Sequence, residues 1–125
     1  MSFTVQHDII NYNDNIKQIH ERLDIMEKIR LDFENELRNK MFLAKKECQY
    51  NPTYFNQMLA EIGGVATAKR LIEKALATGN PSDGFTTLLL KGRLDLTMED
   101  SVCNPAYKDL FEQYEIDYCR KVLGK

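Results

Sequence analysis

The chain has little of what usually announces a chemistry. It contains two histidines, His7 and His20, three cysteines and three prolines, and no apolar run exceeds a few residues. The short apolar runs exclude a membrane-spanning helix. His20-Glu21-Arg22-Leu23-Asp24 has aspartate where the H-E-x-x-H zinc motif needs its second histidine, so that reading fails on ligand count. No G-x-S-x-G, P-loop or dinucleotide-binding glycine pattern occurs, and histidines confined to the N-terminal region give no basis for a serine–histidine or cysteine–histidine pair. Cys48, Cys103 and Cys119 form no C-x-x-C pair and are odd in number, a pattern of reduced, partly buried thiols rather than of a disulfide framework. Charge of one sign is also missing. Seventeen Lys and Arg against nineteen Asp and Glu leave −2 at pH 7, so no global field attracts nucleic acid or an anionic membrane. The first residues carry neither the basic region nor the apolar stretch of a signal peptide, which places the expected location in the cytoplasm. No metal and no cofactor is expected, and catalysis is unsupported.

What is present is helix. The 125 residues, 43% hydrophobic, suit one domain. Residues 1–13 read as a flexible N-terminus. Residues 14–50 contain neither Pro nor Gly and are rich in Ile, Leu, Met, Glu, Lys and Arg, all compatible with a long amphipathic helix. Ile16, Ile19, Leu23, Met26, Ile29, Phe33, Leu37, Met41, Ala44 and Cys48 recur every three or four residues and trace one stripe. Asp24 and Lys28, Glu34 and Arg38, and Glu36 and Lys40 stand four apart in the acidic-then-basic order that favours a solvated opposite face. Such a helix would span roughly 54 Å at 1.5 Å per residue, against about 36 Å for a compact domain of this length. Unbroken, it overhangs its own domain. Ile16, Ile19, Leu23 and Met26 keep heptad spacing and form a candidate dimerisation seam, until Arg30 interrupts the next position. The alternative is a break near residues 30–32 that folds the helix back.

Beyond Tyr50 the punctuation becomes dense, and residues 51–125 read as a compact bundle of five or six short helices. Asn51-Pro52 is expected to cap and open a helix reaching Ile62, which Gly63-Gly64 ends. Val65 to Leu76 resumes the helical period, and Gly79-Asn80-Pro81 stops it. Ser82 and Thr97 are expected N-caps, and Asn104-Pro105 repeats the cap-and-proline device. A final helix from Glu112 to Leu123 reads as a continuation of the preceding one. The fold class is all-α, with Leu88-Leu89-Leu90 the only stretch arguable as strand.

Several spaced strings in this region carry a family likeness: Asn51-Pro52-Thr53-Tyr54-Phe55, Gly63-Gly64-Val65, Ala68-Lys69, Leu71-Ile72, Ser82-Asp83-Gly84-Phe85-Thr86 and Gly92-Arg93-Leu94-Asp95-Leu96-Thr97. Together they resemble a bacterial helical domain family of unknown function, over about residues 51–125. The resemblance implies a short single-domain protein or a C-terminal module and implies no catalytic residue. Some relatives resemble parts of restriction or defence-type proteins. The first forty residues lie outside it.

Three local features have both a functional and a structural reading. The amides following Gly63-Gly64, with Lys69 and Arg70 one turn on, could hold an anion, or the glycines could simply end one helix and let the next approach closely. The same hairpin can be read as a helix-turn-helix with Thr67, Lys69 and Arg70 facing bases, and Lys74, Lys91 and Arg93 extending a basic patch. Asp95 and Glu99 could be paired acids, or Arg93 could fork onto a carboxylate while Thr97, Glu99 and Asp100 serve a helix start. The structural reading is preferred each time, and the aromatic residues are expected in the core. Lys69, Arg70, Lys74, Arg93 and Asp95 remain the candidate interaction residues. The expectation is a non-enzymatic protein–protein interaction or regulatory module, forming a homodimer and binding an unidentified protein partner. The alternative is nucleic-acid binding through the Gly63-Gly64 hairpin.

Overall fold

A computed structural model describes residues 2–125, with side chains from Asn13 onward, so the expected flexible segment 1–13 falls almost wholly outside the described side chains. Helix α1 runs Ser2–Cys48, without a break at residues 30–32. It is followed by α2 (Thr53–Ile62), α3 (Gly64–Thr78), α4 (Asp83–Leu90), α5 (Met98–Val102) and α6 (Gln113–Val122), with 3-10 turns at Leu94–Leu96 and Pro105–Leu110. No strand occurs among the described residues, and the Leu88-Leu89-Leu90 stretch is helical with only Leu88 buried. None of the helices is long and apolar enough to cross a membrane.

The predicted stripe divides α1 into two halves. From Met26 onward it enters the core: Met26 and Ile29 pack against the core's edge, while Phe33, Leu37 and Ala44 have no exposed surface. Phe33 sits at the centre, edge-on to Tyr107 at 5.2 Å and to Phe111 at 5.1 Å between ring centroids. Val65, Ala68 and Ile72 of α3, Met98 and Val102 of α5 and Cys119 of α6 close around it. A smaller cluster joins Ala44 to Leu88 and Leu96 at the C-terminal end of α1. There Gln49 adopts a left-handed φ of 55° and the Tyr50 amide donates to the Ala44 carbonyl, which turns the chain back toward α2.

Local rules account for most helix ends. Ser82 Oγ accepts from the Phe85 amide and Thr97 Oγ1 from the Asp100 amide, both as expected. Asn104 Oδ1 accepts from the Ala106 amide, although the element it opens is a 3-10 turn. Extended backbone at Phe111 and Glu112 then separates that turn from α6, which corrects the expected continuous last helix. Glu112 and Glu115 form a reciprocal capping box at the new start. At α2 the expected cap moves by one residue: Pro52 holds the cap position, and Asn51 accepts a hydrogen bond from the Asn56 side chain instead. Two aromatic residues expected in the core, Tyr54 and Tyr114, are exposed. Tyr114 instead turns its hydroxyl to Glu73.

Candidate functional site

The Gly63-Gly64 corner is occupied by the protein itself. Gly63 takes φ 82° and ψ 173°, a region essentially restricted to glycine. The Gly64 amide, first in α3, donates to Glu34 Oε1 of α1 at 2.9 Å. The anion at this helix start is therefore a carboxylate of the same chain. A Cβ added to Gly64 would meet the Glu34 Cα at 2.9 Å, so the second glycine permits a close backbone approach between α1 and α3.

The basic residues nearby disperse. Lys69 Nζ lies 2.7 Å from Glu115 Oε1, a carboxylate only 2% exposed, and 5.4 Å from the centre of the Phe111 ring. Its charge compensates a buried acid. Thr67, placed by the helix-turn-helix reading among base-facing side chains, has no exposed surface. Arg70 and Lys74 are exposed on α3. On α1, Lys28 pairs with Asp32 rather than Asp24, Arg38 pairs with Glu34, and Lys40 abandons Glu36 for the Thr97 carbonyl and Asp100, each at 3.0 Å. Glu36 accepts from the Tyr107 hydroxyl instead.

Arg93 forms the expected fork. Nε and one terminal nitrogen donate to the two oxygens of Asp95 at 3.0 and 3.1 Å, and the other nitrogen donates to Glu47 of α1 at 2.7 Å. The guanidinium holds Asp95 below the usual carboxylate range and ties the 3-10 turn Leu94–Leu96 to the end of α1. Glu99 stands with Asp100 in the first turn of α5, at the helix start as expected, and is buried there. It is 2% exposed, and its side chain reaches Ser82 Oγ, which donates at 3.5 Å. Asp95 and Glu99 consequently occupy different surroundings.

Glu99 lines a cavity of about 500 Å³ between the loops preceding α2 and α4 and the helices α1, α3 and α5. Tyr50, Tyr54, Phe55 and Phe85 bring aromatic surface to it, and Met41, Met58, Leu71 and Met98 add apolar wall. Lys74, alone among the candidate interaction residues, also borders it. Burial pushes the Glu99 carboxyl up to about 7, opposed by its backbone, Ser82 and the charge of Lys40. Sequence reasoning missed this cavity because no motif marks it. The usable signals were the proline-containing loops Asn51-Pro52 and Asn80-Pro81, which both reach its wall.

The Asn13–Ile25 stretch of α1 is the other feature without an internal partner among the described residues. From Asn13 to Ile25 none of the side chains is buried; Ile19, Leu23 and Ile25 are 51%, 60% and 57% exposed, and Ile16 is half-buried. Cys48, Cys103 and Cys119 are free thiols. Burial raises Cys119, disfavouring a reactive thiolate. No group of histidine, cysteine and acidic side chains among the described residues could hold a metal ion. No family model, curated protein or solved structure matches the chain.

Proposed function

We propose that the protein is a non-enzymatic interaction module in which the bundle anchors α1 and the overhanging half of α1 pairs with a second copy. The observation that carries this reading is the exposure of Ile19 and Leu23 on the stripe that, about three turns later at Phe33, becomes the buried face of the same helix. A stripe kept apolar past the end of its own core gains its stabilisation from another chain. Ile16, Ile19, Leu23 and Met26 form the seam, and Arg30 at the next heptad position keeps it short.

Magnitude sets the expected affinity. Burying the remainder of Ile19 or Leu23, each more than half exposed, contributes about 2 kcal/mol, and that of the partly buried Ile16 or Met26 about 0.5–1 kcal/mol. Eight such side chains in a pair give on the order of 10 kcal/mol, against an association cost of at least about 4 kcal/mol. The dimer should dissociate in the range of tens of micromolar. The nucleic-acid alternative has less support, because Lys69 already compensates Glu115 and the Gly64 amide already binds Glu34.

Sedimentation equilibrium from about 10 to about 300 µM tests the reading. The wild-type chain should pass from one to two copies, and Ile19→Glu combined with Leu23→Glu should remain monomeric throughout. A wild-type chain that stays monomeric at the highest concentration contradicts it, as does a dimer that the double substitution leaves intact.

A further inference from the structure

The cavity beside Glu99 is lined by none of the proposed seam residues Ile16, Ile19, Leu23 and Met26. Its walls belong to loops and helices of the bundle, which hold it through the core rather than through the overhang. Its volume of about 500 Å³ falls within the range of small-molecule sites. The lining combines a broad aromatic and methionine surface with few charged groups: Lys74, Asp83 and Glu99. Of these Lys74 and Asp83 are exposed, and Glu99 is sequestered.

Glu99 is the informative group. A carboxylate this deeply covered normally has a close cationic partner or several strong donors. Here the donors are its own backbone amide and the Ser82 hydroxyl, the latter at the long distance of 3.5 Å. Lys40, the cation whose charge reaches Glu99, spends its ammonium hydrogen bonds on the Thr97 carbonyl and Asp100. The buried Tyr118 hydroxyl, close enough to feel the Glu99 charge, makes no hydrogen bond of its own. The carboxyl is therefore covered, under-compensated and adjacent to open volume.

We propose that this cavity binds a small organic cation, a primary or secondary ammonium carried on an aromatic or aliphatic body, with Glu99 as the counter-charge. An ammonium would supply the close donors the carboxylate lacks, and a desolvated ion pair of this kind is worth far more than one in water. Tyr50, Tyr54, Phe55 and Phe85 suit the remainder of such a ligand, since aromatic faces attract both apolar groups and cations. An anionic ligand would be repelled by the same carboxylate, and a neutral one would leave its charge unanswered.

Titration of the full chain with phenethylamine, phenethyl alcohol and hydrocinnamate, followed by amide chemical shifts at about pH 8 where Glu99 is ionised, tests the assignment. Phenethylamine should bind saturably with shifts centred on Glu99, Ser82 and Phe85, and at least about tenfold more tightly than phenethyl alcohol. Glu99→Gln should reduce the amine to the affinity of the alcohol and leave the alcohol unchanged. The comparison of three ligands on the wild-type chain needs no substitution, so a poorly folded variant does not blunt it. Equal affinity for amine and alcohol, preference for hydrocinnamate, or no saturable binding of the amine would each overturn the proposal. None of these outcomes depends on whether the chain dimerises.

Discussion

Glu99 sits among apolar groups with a carboxyl raised from 4.5 to about 7, and that displacement is a statement about stability. The folded chain holds this proton more tightly than the unfolded chain does. The resulting stabilisation is fully present below the unfolded value near pH 4.5, shrinks as pH rises, and is gone above the folded value near 7. At most about 3 kcal/mol is involved across that window. Glu99→Gln keeps the shape and removes the titration. Urea unfolding at about pH 5 and about pH 8 should therefore show the wild-type chain losing about 2–3 kcal/mol more than the variant over that interval. Parallel losses in the two proteins would mean that Glu99 is not held in a desolvating site. Lys69 illustrates the opposite fate of a charged residue. Read from sequence it is a surface cation on a helix start, and only the fold reveals that Glu115 lies 2.7 Å away with 2% of its surface exposed.

At the scale of elements, the join of α1 to α3 decides how closely the bundle can pack. Two glycines in sequence signal a helix stop, and that much was legible. What the sequence did not contain was the partner, because Glu34 stands thirty residues earlier on another helix. Gly64→Ala would place a methyl group 2.9 Å from the Glu34 Cα. Backbone rather than a flexible side chain must yield, so the substitution should destabilise the chain by about 2 kcal/mol. Thermal unfolding checks this, and an unchanged midpoint would contradict the close approach. The remaining helix ends divide by mechanism. Ser82 and Thr97 cap as expected because an N-cap acts within three residues of its own position. The break at Phe111 and Glu112 escaped because it depends on the Glu112–Glu115 box and on the burial of Phe111 against Phe33.

For the whole molecule, the all-α class and the long helix followed from periodicity, and the helix-length comparison already implied an overhang. Continuity through residues 30–32 could not be read from sequence, since Arg30, Leu31 and Asp32 suit either a continuous helix or a turn. In the folded chain Ile29 and Phe33 on either side both pack on the core, which holds the segment straight. The cavity was illegible for a related reason: its wall is assembled from residues between Met41 and Glu99, and no local pattern encodes a space that forms only when distant segments meet.

In the proposed dimer α1 projects beyond its bundle and meets the same stripe on another copy. An isotope-filtered NOE experiment on an equimolar mixture of labelled and unlabelled chain, at a concentration of about 300 µM, reads this pairing at the level of single side chains. Contacts between copies should involve the side chains of Ile19, Leu23 and Met26. Absence of any inter-chain contact, or contacts confined to the bundle, would rule this dimer out.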